Sequence, residues 1–119
     1  MANKSMSVHP VLDLEGTMNR LAGDEELFID LVSYFFEDAP QLLVKLKTAI
    51  NGKDGTEIRS SAHALKGLIA GCGGVRATQA AQIIETAAGE GDLSNIDKQF
   101  ELFAAEFDIL TQMLSRYHS

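Results

Sequence analysis

The residues best suited to carry out chemistry lie mid-chain, in the segment Ser61–Gly67. This segment reads Ser-Ala-His-Ala-Leu-Lys-Gly. Histidine is the side chain that titrates near neutral pH, and it can serve as a base, a nucleophile or a metal ligand. Lys66 follows His63 by three residues and Arg59 precedes it by four. Residues at these spacings are neighbours on a helix. The segment therefore predicts an imidazole with cationic side chains one helical turn away.

A helical conformation of this segment would expose the imidazole. At about 100 degrees per residue, the apolar stripe is centred near Leu65 and Ile69, and His63 lies roughly 120 to 150 degrees from that centre. We therefore expect His63 to face solvent. The same exposed side carries further cationic or small residues, namely Arg59, Lys66, Gly67 and Ala70.

Gly67 is unusual in the interior of a predicted helix, because glycine costs roughly 0.5 to 1 kcal/mol there relative to alanine. Close packing against another helix is one reason for such a glycine. Gly67, however, projects toward the side of His63 and away from the apolar stripe. A side chain at this position would obstruct an approach to the imidazole. The combination predicts a histidine that another macromolecule reaches.

The elements that must position these residues are helices. Apolar residues recur at steps of three and four almost throughout the chain, and the breaks fall at clusters of Gly and Asp. A short first helix ends at Gly23, and Asp24 caps the start of a long second helix. Pro40 lies inside the second helix and should kink it rather than end it, because the apolar stripe continues in register on both sides.

Three further helices complete the pattern. The third runs from about Thr56 to Cys72, the fourth covers about Val75 to Ala88, and the turn that ends at Asp92 caps the last. The last helix carries an uninterrupted apolar stripe, formed by Leu93, Ile96, Phe100, Phe103, Phe107, Leu110, Leu114 and Tyr117. Such seams favour shallow crossing angles, and short loops join antiparallel neighbours. The sequence predicts an all-α fold, an up-and-down antiparallel four-helix bundle with a short extra N-terminal helix.

Length and charge limit the organisation of the chain and its partners. Its 119 residues suffice for one domain, which we place at residues 10–119 after a flexible tail at residues 1–9. The net charge of −7 would repel nucleic acid and anionic lipid. The single cysteine, Cys72, fits a reducing cytosol and continues the apolar stripe of the third helix. Without a membrane-spanning segment or a signal peptide, we expect a cytoplasmic protein that binds neither membrane nor nucleic acid.

Motifs for independent catalysis are absent from the sequence. The glycines after the third helix match neither GxxxxGK[ST] nor GxGxxG, so no ATP site is recognised. Neither HExxH nor Glu-x-x-His occurs, and His9, His63 and His118 are far apart along the chain. We therefore expect no bound cofactor and no metal site.

The segment around His63 resembles the signature of histidine-containing phosphotransfer (HPt) domains, which is His-x-Leu-Lys-Gly with a later glycine. Here His63–Gly67 matches the motif and Gly73 is the later glycine. Other features similar to the family are the opening Leu21–Leu27, Phe35, Phe36 and the pair Ile84-Glu85. Departures fall at Leu68, Ile69 and Gly71, positions that affect packing and docking more than chemistry. The resemblance covers most of the chain.

The resemblance implies a role for each site residue. His63 would carry a phosphoryl group on Nε2, while Glu85 would accept a hydrogen bond from Nδ1 and so fix the free lone pair on Nε2. Lys66 would attract the phosphoryl oxygens. The residues in contact with the partner would include Arg59, Gly67 and Ala70. The protein would then be a phosphocarrier and not an enzyme acting alone, and any magnesium would come from the partner receiver domain.

The implied partners are the receiver domain of a response regulator and a sensor or hybrid histidine kinase, with the phosphocarrier expected to be a monomer. Two other interpretations stay open from the sequence. A helical adaptor would use the exposed face without phosphorylation, and His63 would be incidental. A phosphoacceptor module of a larger histidine kinase would have its ATP site elsewhere in the parent chain.

Overall fold

The computed structural model describes residues 9–118, which form five helices and a terminal turn. Helix α1 spans Leu14–Arg20, α2 Glu25–Asn51, α3 Gly55–Gly71, α4 Val75–Gly89 and α5 Ile96–Leu114, and a 3-10 turn at Ser115–Tyr117 follows. In this part of the chain, no helix is both long and apolar enough to cross a membrane. Apart from His9, which is exposed, the predicted tail lies outside the described residues.

Helices α2 to α5 form the four-helix bundle that the apolar periodicity predicts. Helix α2 packs on α3, α3 on α4 and α4 on α5, and α5 also contacts α2. Each of the four contributes large, fully buried side chains to one core, among them Phe35, Leu65, Ile84 and Phe103. Complete burial of such a side chain contributes roughly 1.5 to 3 kcal/mol. Packing between the helices, more than intrinsic helix propensity, therefore determines where α3 and α4 lie.

Short-range signals in the sequence determine where the helices begin. Asp24 caps α2, since its side chain accepts a hydrogen bond of 3.0 Å from the backbone N–H of Leu27. Asp54 caps α3 in the same way, with a 3.2 Å bond from the N–H of Glu57. Helix α2 continues through Pro40, as predicted. The predicted stripe of α3 is buried along its whole length, at Ile58, Ala62, Leu65, Ile69 and Cys72.

The start of the last helix differs from the prediction. Asp92 does not cap it: its carboxylate accepts bonds from the backbone N–H and the hydroxyl of Ser94, at 3.1 and 2.6 Å. Helix α5 begins at Ile96 after Asn95, which makes no side-chain capping bond. Leu93 lies before the helix and still packs against the core. The apolar spacing that includes Leu93 therefore reports burial rather than helical conformation.

The segment that leads into α1 docks on the turn between α3 and α4 through backbone contacts. The N–H of Asp13 donates to the carbonyl of Gly73 at 2.8 Å, and the N–H of Val75 donates to the carbonyl of Val11 at 3.1 Å. Leu12 and Gly74 form an isolated antiparallel bridge in the same place. The α1 segment thus fixes the turn that aligns α4 against α3.

Gly73 is required at this junction for two reasons. Its φ is +89°, a conformation that L side chains adopt only with strain, and an added Cβ would collide with Thr17 Oγ1. Thr17 is itself buried, and its hydroxyl donates to the carbonyl of Asp13 at 2.7 Å. Thr17 therefore has little freedom to move away.

We expect Gly73→Ala to destabilise the bundle by about 3 kcal/mol or more, because backbone strain adds to overpacking. Gly91→Ala is the matched control, since Gly91 has φ +74° and nothing within 4 Å of an added Cβ. It should cost only the backbone strain, about 1 to 2 kcal/mol. Denaturant unfolding measures both, and equal losses would contradict the proposed collision with Thr17.

Candidate functional site

Helices α3 and α4 bring His63 and Glu85 together across their interface. The Nδ1 atom of His63 lies 2.9 Å from Oε2 of Glu85. The His63 side chain is 68% exposed, whereas that of Glu85 is only 15% exposed. The carboxylate is thus held near the bundle surface while the ring stands in solvent, as the helical geometry predicts.

This contact determines which nitrogen of His63 is free. An ionised carboxylate accepts hydrogen bonds only, so Nδ1–H must donate to Oε2. In a neutral imidazole with the proton on Nδ1, the lone pair lies on Nε2. Nε2 is on the side of the ring away from Nδ1 and has no hydrogen-bond partner among residues 9–118. The arrangement leaves the lone pair of Nε2 without a partner among these residues.

Lys66 lies on the other side of Glu85 and is not free. Its Nζ is 2.8 Å from Oε1 of Glu85 and donates to Oε1 of Gln82 at 2.9 Å. Gln82 in turn donates from Nε2 to the hydroxyl of Thr86 at 2.9 Å. The Lys66 side chain is only 24% exposed. The resemblance implied a lysine that attracts phosphoryl oxygens, but in this geometry its charge is matched by Glu85.

The pKa of the Glu85 carboxyl lies below its ordinary value of 4.5. The hydrogen bond from Lys66 is the largest cause, and the bond from His63 and the charges of both groups act in the same direction. Partial burial opposes them. Glu85 is therefore ionised at neutral pH and available to accept from Nδ1.

Arg59 lies one turn before His63 and crosses to the end of α4. A Cβ added to Gly89 would lie 3.5 Å from Nε and 3.8 Å from Cζ of Arg59, so the guanidinium rests above this glycine. An open pocket of about 380 Å³ adjoins it, lined by Thr56, Arg59, Ser60, His63 and Glu85. Arg59 therefore shares a pocket with the imidazole.

The two small residues predicted on the exposed side behave differently. An added Cβ on Gly67 would meet nothing within 4 Å, so close packing does not require glycine there. Ala70 is exposed, but its carbonyl accepts a 3.3 Å bond from Arg20 of α1, and it lines a separate pocket with Asp13 and Thr17. Gly67 flanks the imidazole, whereas Ala70 belongs to the junction with α1.

Sequence reasoning missed Gln82, Thr56 and Ser60. Gln82 lies three residues before Glu85, and this spacing places both on one face of α4. Ser60 and Thr56 precede His63 by three and seven residues and lie on its face of α3 by the same rule. Helical spacing could therefore have found all three. Among the described residues, no group of three or more His, Cys, Asp or Glu side chains could hold a metal ion.

The lowered pKa of Glu85 predicts a pH-dependent contribution to stability. The ionised carboxylate is favoured in the folded state, so its contribution is complete above the unfolded value near 4.5 and is lost as pH falls through the folded pKa. Glu85→Gln should therefore be less stable than wild type at neutral pH, with the gap closing as the pH falls below 4.5 and through the lowered pKa of the folded state. Denaturant unfolding across this range checks it. A gap that stays constant would show that the Glu85 charge adds nothing to the fold.

Comparisons with known proteins identify the family of the chain. A protein-family model, the Hpt domain, matches residues 30–119. Among solved structures, the chain is similar to histidine-containing phosphotransfer protein B from Pseudomonas aeruginosa PAO1, with 24% identity, a TM-score of 0.81, and 90% of this chain and 93% of that chain covered. A search of curated proteins finds no match. The structural likeness shows the fold, and the family match shows that the chain belongs to the Hpt domain family, the histidine phosphotransfer modules of two-component signalling.

Proposed function

We propose that this protein is a phosphocarrier whose acceptor is Nε2 of His63. It takes the phosphoryl group from the aspartyl phosphate of a receiver domain, or from a sensor or hybrid histidine kinase, and passes it to a downstream response regulator. The observation that carries the proposal is the 2.9 Å contact between Nδ1 of an exposed His63 and Oε2 of Glu85. This contact aims a lone pair at solvent, where a partner's phosphate can reach it.

The transfer step follows from this geometry. The Nε2 lone pair attacks the phosphorus of the acyl phosphate in line, the N–P bond forms, and the P–O bond to the donor carboxylate breaks. Nδ1 keeps its proton throughout. The positive charge that develops on the ring is stabilised by the Glu85 carboxylate, which already accepts from Nδ1–H. Transfer to the next receiver reverses these bonds and restores the neutral imidazole.

Lys66 and Gly67 support this step in different ways. Lys66 is a positioning residue, because its ion pair with Oε1 of Glu85 lowers the pKa of that carboxyl and leaves Oε2 for the imidazole. Gly67 leaves open space beside His63 for the partner's surface. The phosphocarrier needs no cofactor of its own in this scheme, and the magnesium that supports transfer belongs to the receiver.

The adaptor interpretation does not explain the contacts among His63, Glu85 and Lys66. A surface used only for docking does not need a partly buried ion pair of Lys66 and Glu85 to orient one exposed ring. A phosphoacceptor module within a larger histidine kinase would use the same site and the same chemistry. The proposed acceptor is therefore independent of whether the domain acts alone.

We expect His63→Gln to abolish phosphoryl acceptance while changing the free energy of unfolding by no more than about 1 kcal/mol, because the side chain is exposed. The measurement is acid-labile phosphate on the protein after incubation with a phosphorylated receiver. His9→Gln and His118→Gln serve as controls and should be labelled like wild type. Retained labelling of His63→Gln would contradict the proposed acceptor.

Variants of Gly67 test whether docking of the receiver uses the face around His63. Gly67→Leu should slow transfer from the receiver far more than labelling by phosphoramidate, because only the protein donor covers the face around His63. Gly67→Ala is the control, and it should be stabilised by up to about 1 kcal/mol, since its Cβ meets nothing. A Gly67→Leu protein that loses both reactions equally would show that Gly67 does not serve docking.

A further inference from the structure

We propose that Arg59, and not Lys66, provides the positive charge that binds the phosphoryl group carried by His63. The inference rests on the proposed function and assigns a phosphoryl-binding residue to the same site. It follows from how the two cations beside the imidazole are engaged.

The charge of Lys66 is already matched. The Lys66 ammonium donates to Oε1 of Gln82 at 2.9 Å and forms an ion pair with Oε1 of Glu85 at 2.8 Å. A move toward a phosphate on His63 would weaken the ion pair with Glu85. It would also remove Glu85's support just as the ring becomes positively charged. Binding of phosphate by Lys66 therefore opposes the role that its contacts give it.

Arg59 makes no comparable ion pair or hydrogen bond through its side chain to any other described residue. The residue is exposed. Within residues 9–118 its guanidinium forms no ion pair with a carboxylate and no side-chain hydrogen bond. It lies one helical turn from His63 and lines the same pocket. A guanidinium presents a planar set of donors that fits phosphate oxygens in a bidentate manner. Arg59 is thus the cation next to the imidazole whose donors are available.

The open pocket that Arg59 and His63 both line suits an anion. Its lining adds the hydroxyl groups of Thr56 and Ser60, which can donate hydrogen bonds to phosphate oxygens. Glu85 also lines it, but Lys66 balances that carboxylate. The remaining charge of the pocket is the guanidinium, and a phosphoryl group brings about −1.5 to −2 charges near neutral pH. Its volume of about 380 Å³ leaves room for the phosphoryl oxygens.

A purely structural role for Arg59 predicts a different outcome. Its guanidinium rests on Gly89, the last residue of α4, where the free carbonyls carry partial negative charge. In that role, loss of Arg59 would lower the stability of the bundle and leave the chemistry of the folded protein unchanged. Stability and labelling must therefore be measured on the same variants.

The test uses the full chain and phosphoramidate, a small donor that needs no docking surface. Arg59→Gln should slow formation of phosphohistidine by about tenfold or more, the loss expected for one charge-assisted contact. Arg59→Lys should restore part of the rate. Arg116→Gln is the matched control, because Arg116 is exposed in the turn after α5 and the change in charge is identical. Its rate should equal that of wild type.

Lys66→Gln provides the contrast. Without the Lys66 ammonium, the Glu85 carboxyl should take up a proton at higher pH. Labelling of His63 should then fall at the acidic end of the pH profile. Arg59→Gln should instead lower the rate across the whole profile and weaken its dependence on salt.

Each outcome decides one question. A wild-type rate for Arg59→Gln overturns the assignment, and so does a loss that parallels a fall in its unfolding free energy. If Lys66→Gln slowed labelling uniformly across the pH profile and Arg59→Gln left the rate unchanged, Lys66 would be the residue that binds the phosphoryl group. Absence of phosphohistidine from wild type with both phosphoramidate and a phosphorylated receiver would contradict the proposed function itself.

Discussion

The site depends on one carboxylate shared between two helices. Glu85 of α4 contacts the imidazole of His63 through one oxygen and the ammonium of Lys66 through the other. Both partners are on α3, so the contact requires α3 and α4 to stay in a fixed antiparallel register. Lys66 lowers the pKa of the Glu85 carboxyl, and the carboxylate determines which ring nitrogen carries the lone pair. Loss of Glu85 or Lys66 would change the nucleophile without touching Nε2.

The bundle supplies the rigidity that this register needs. The buried stripe of α3 fixes the rotation of the helix, which turns His63 outward because Leu65 and Ile69 must face the core. Helix α1 closes the end of the α3–α4 pair by backbone bonds at Gly73. Core packing and one tight turn therefore decide the position of a side chain that itself contributes little to stability.

Helical periodicity was enough to predict the bundle, the exposure of His63 and the open space at Gly67, because each follows from which face of one helix is apolar. The pairing of Lys66 with Glu85 could not be predicted in the same way, since it depends on how two helices are aligned. Spacing along α4 could have shown that Gln82 shares a face with Glu85. It could not have shown that Arg59 reaches across to Gly89. The start of α5 was misplaced at Asp92 because a buried leucine before a helix has the same apolar spacing as one inside it.

The proposed mechanism requires one particular tautomer of the His63 ring. In protein labelled with ¹⁵N at histidine, long-range ¹H–¹⁵N NMR of His63 identifies the protonated nitrogen before phosphorylation and the modified nitrogen after it. The account predicts a neutral ring with its proton on Nδ1, followed by a phosphoryl group on Nε2 with the Nδ1 proton retained. A proton on Nε2 in the free protein, or a phosphoryl group on Nδ1, would contradict it.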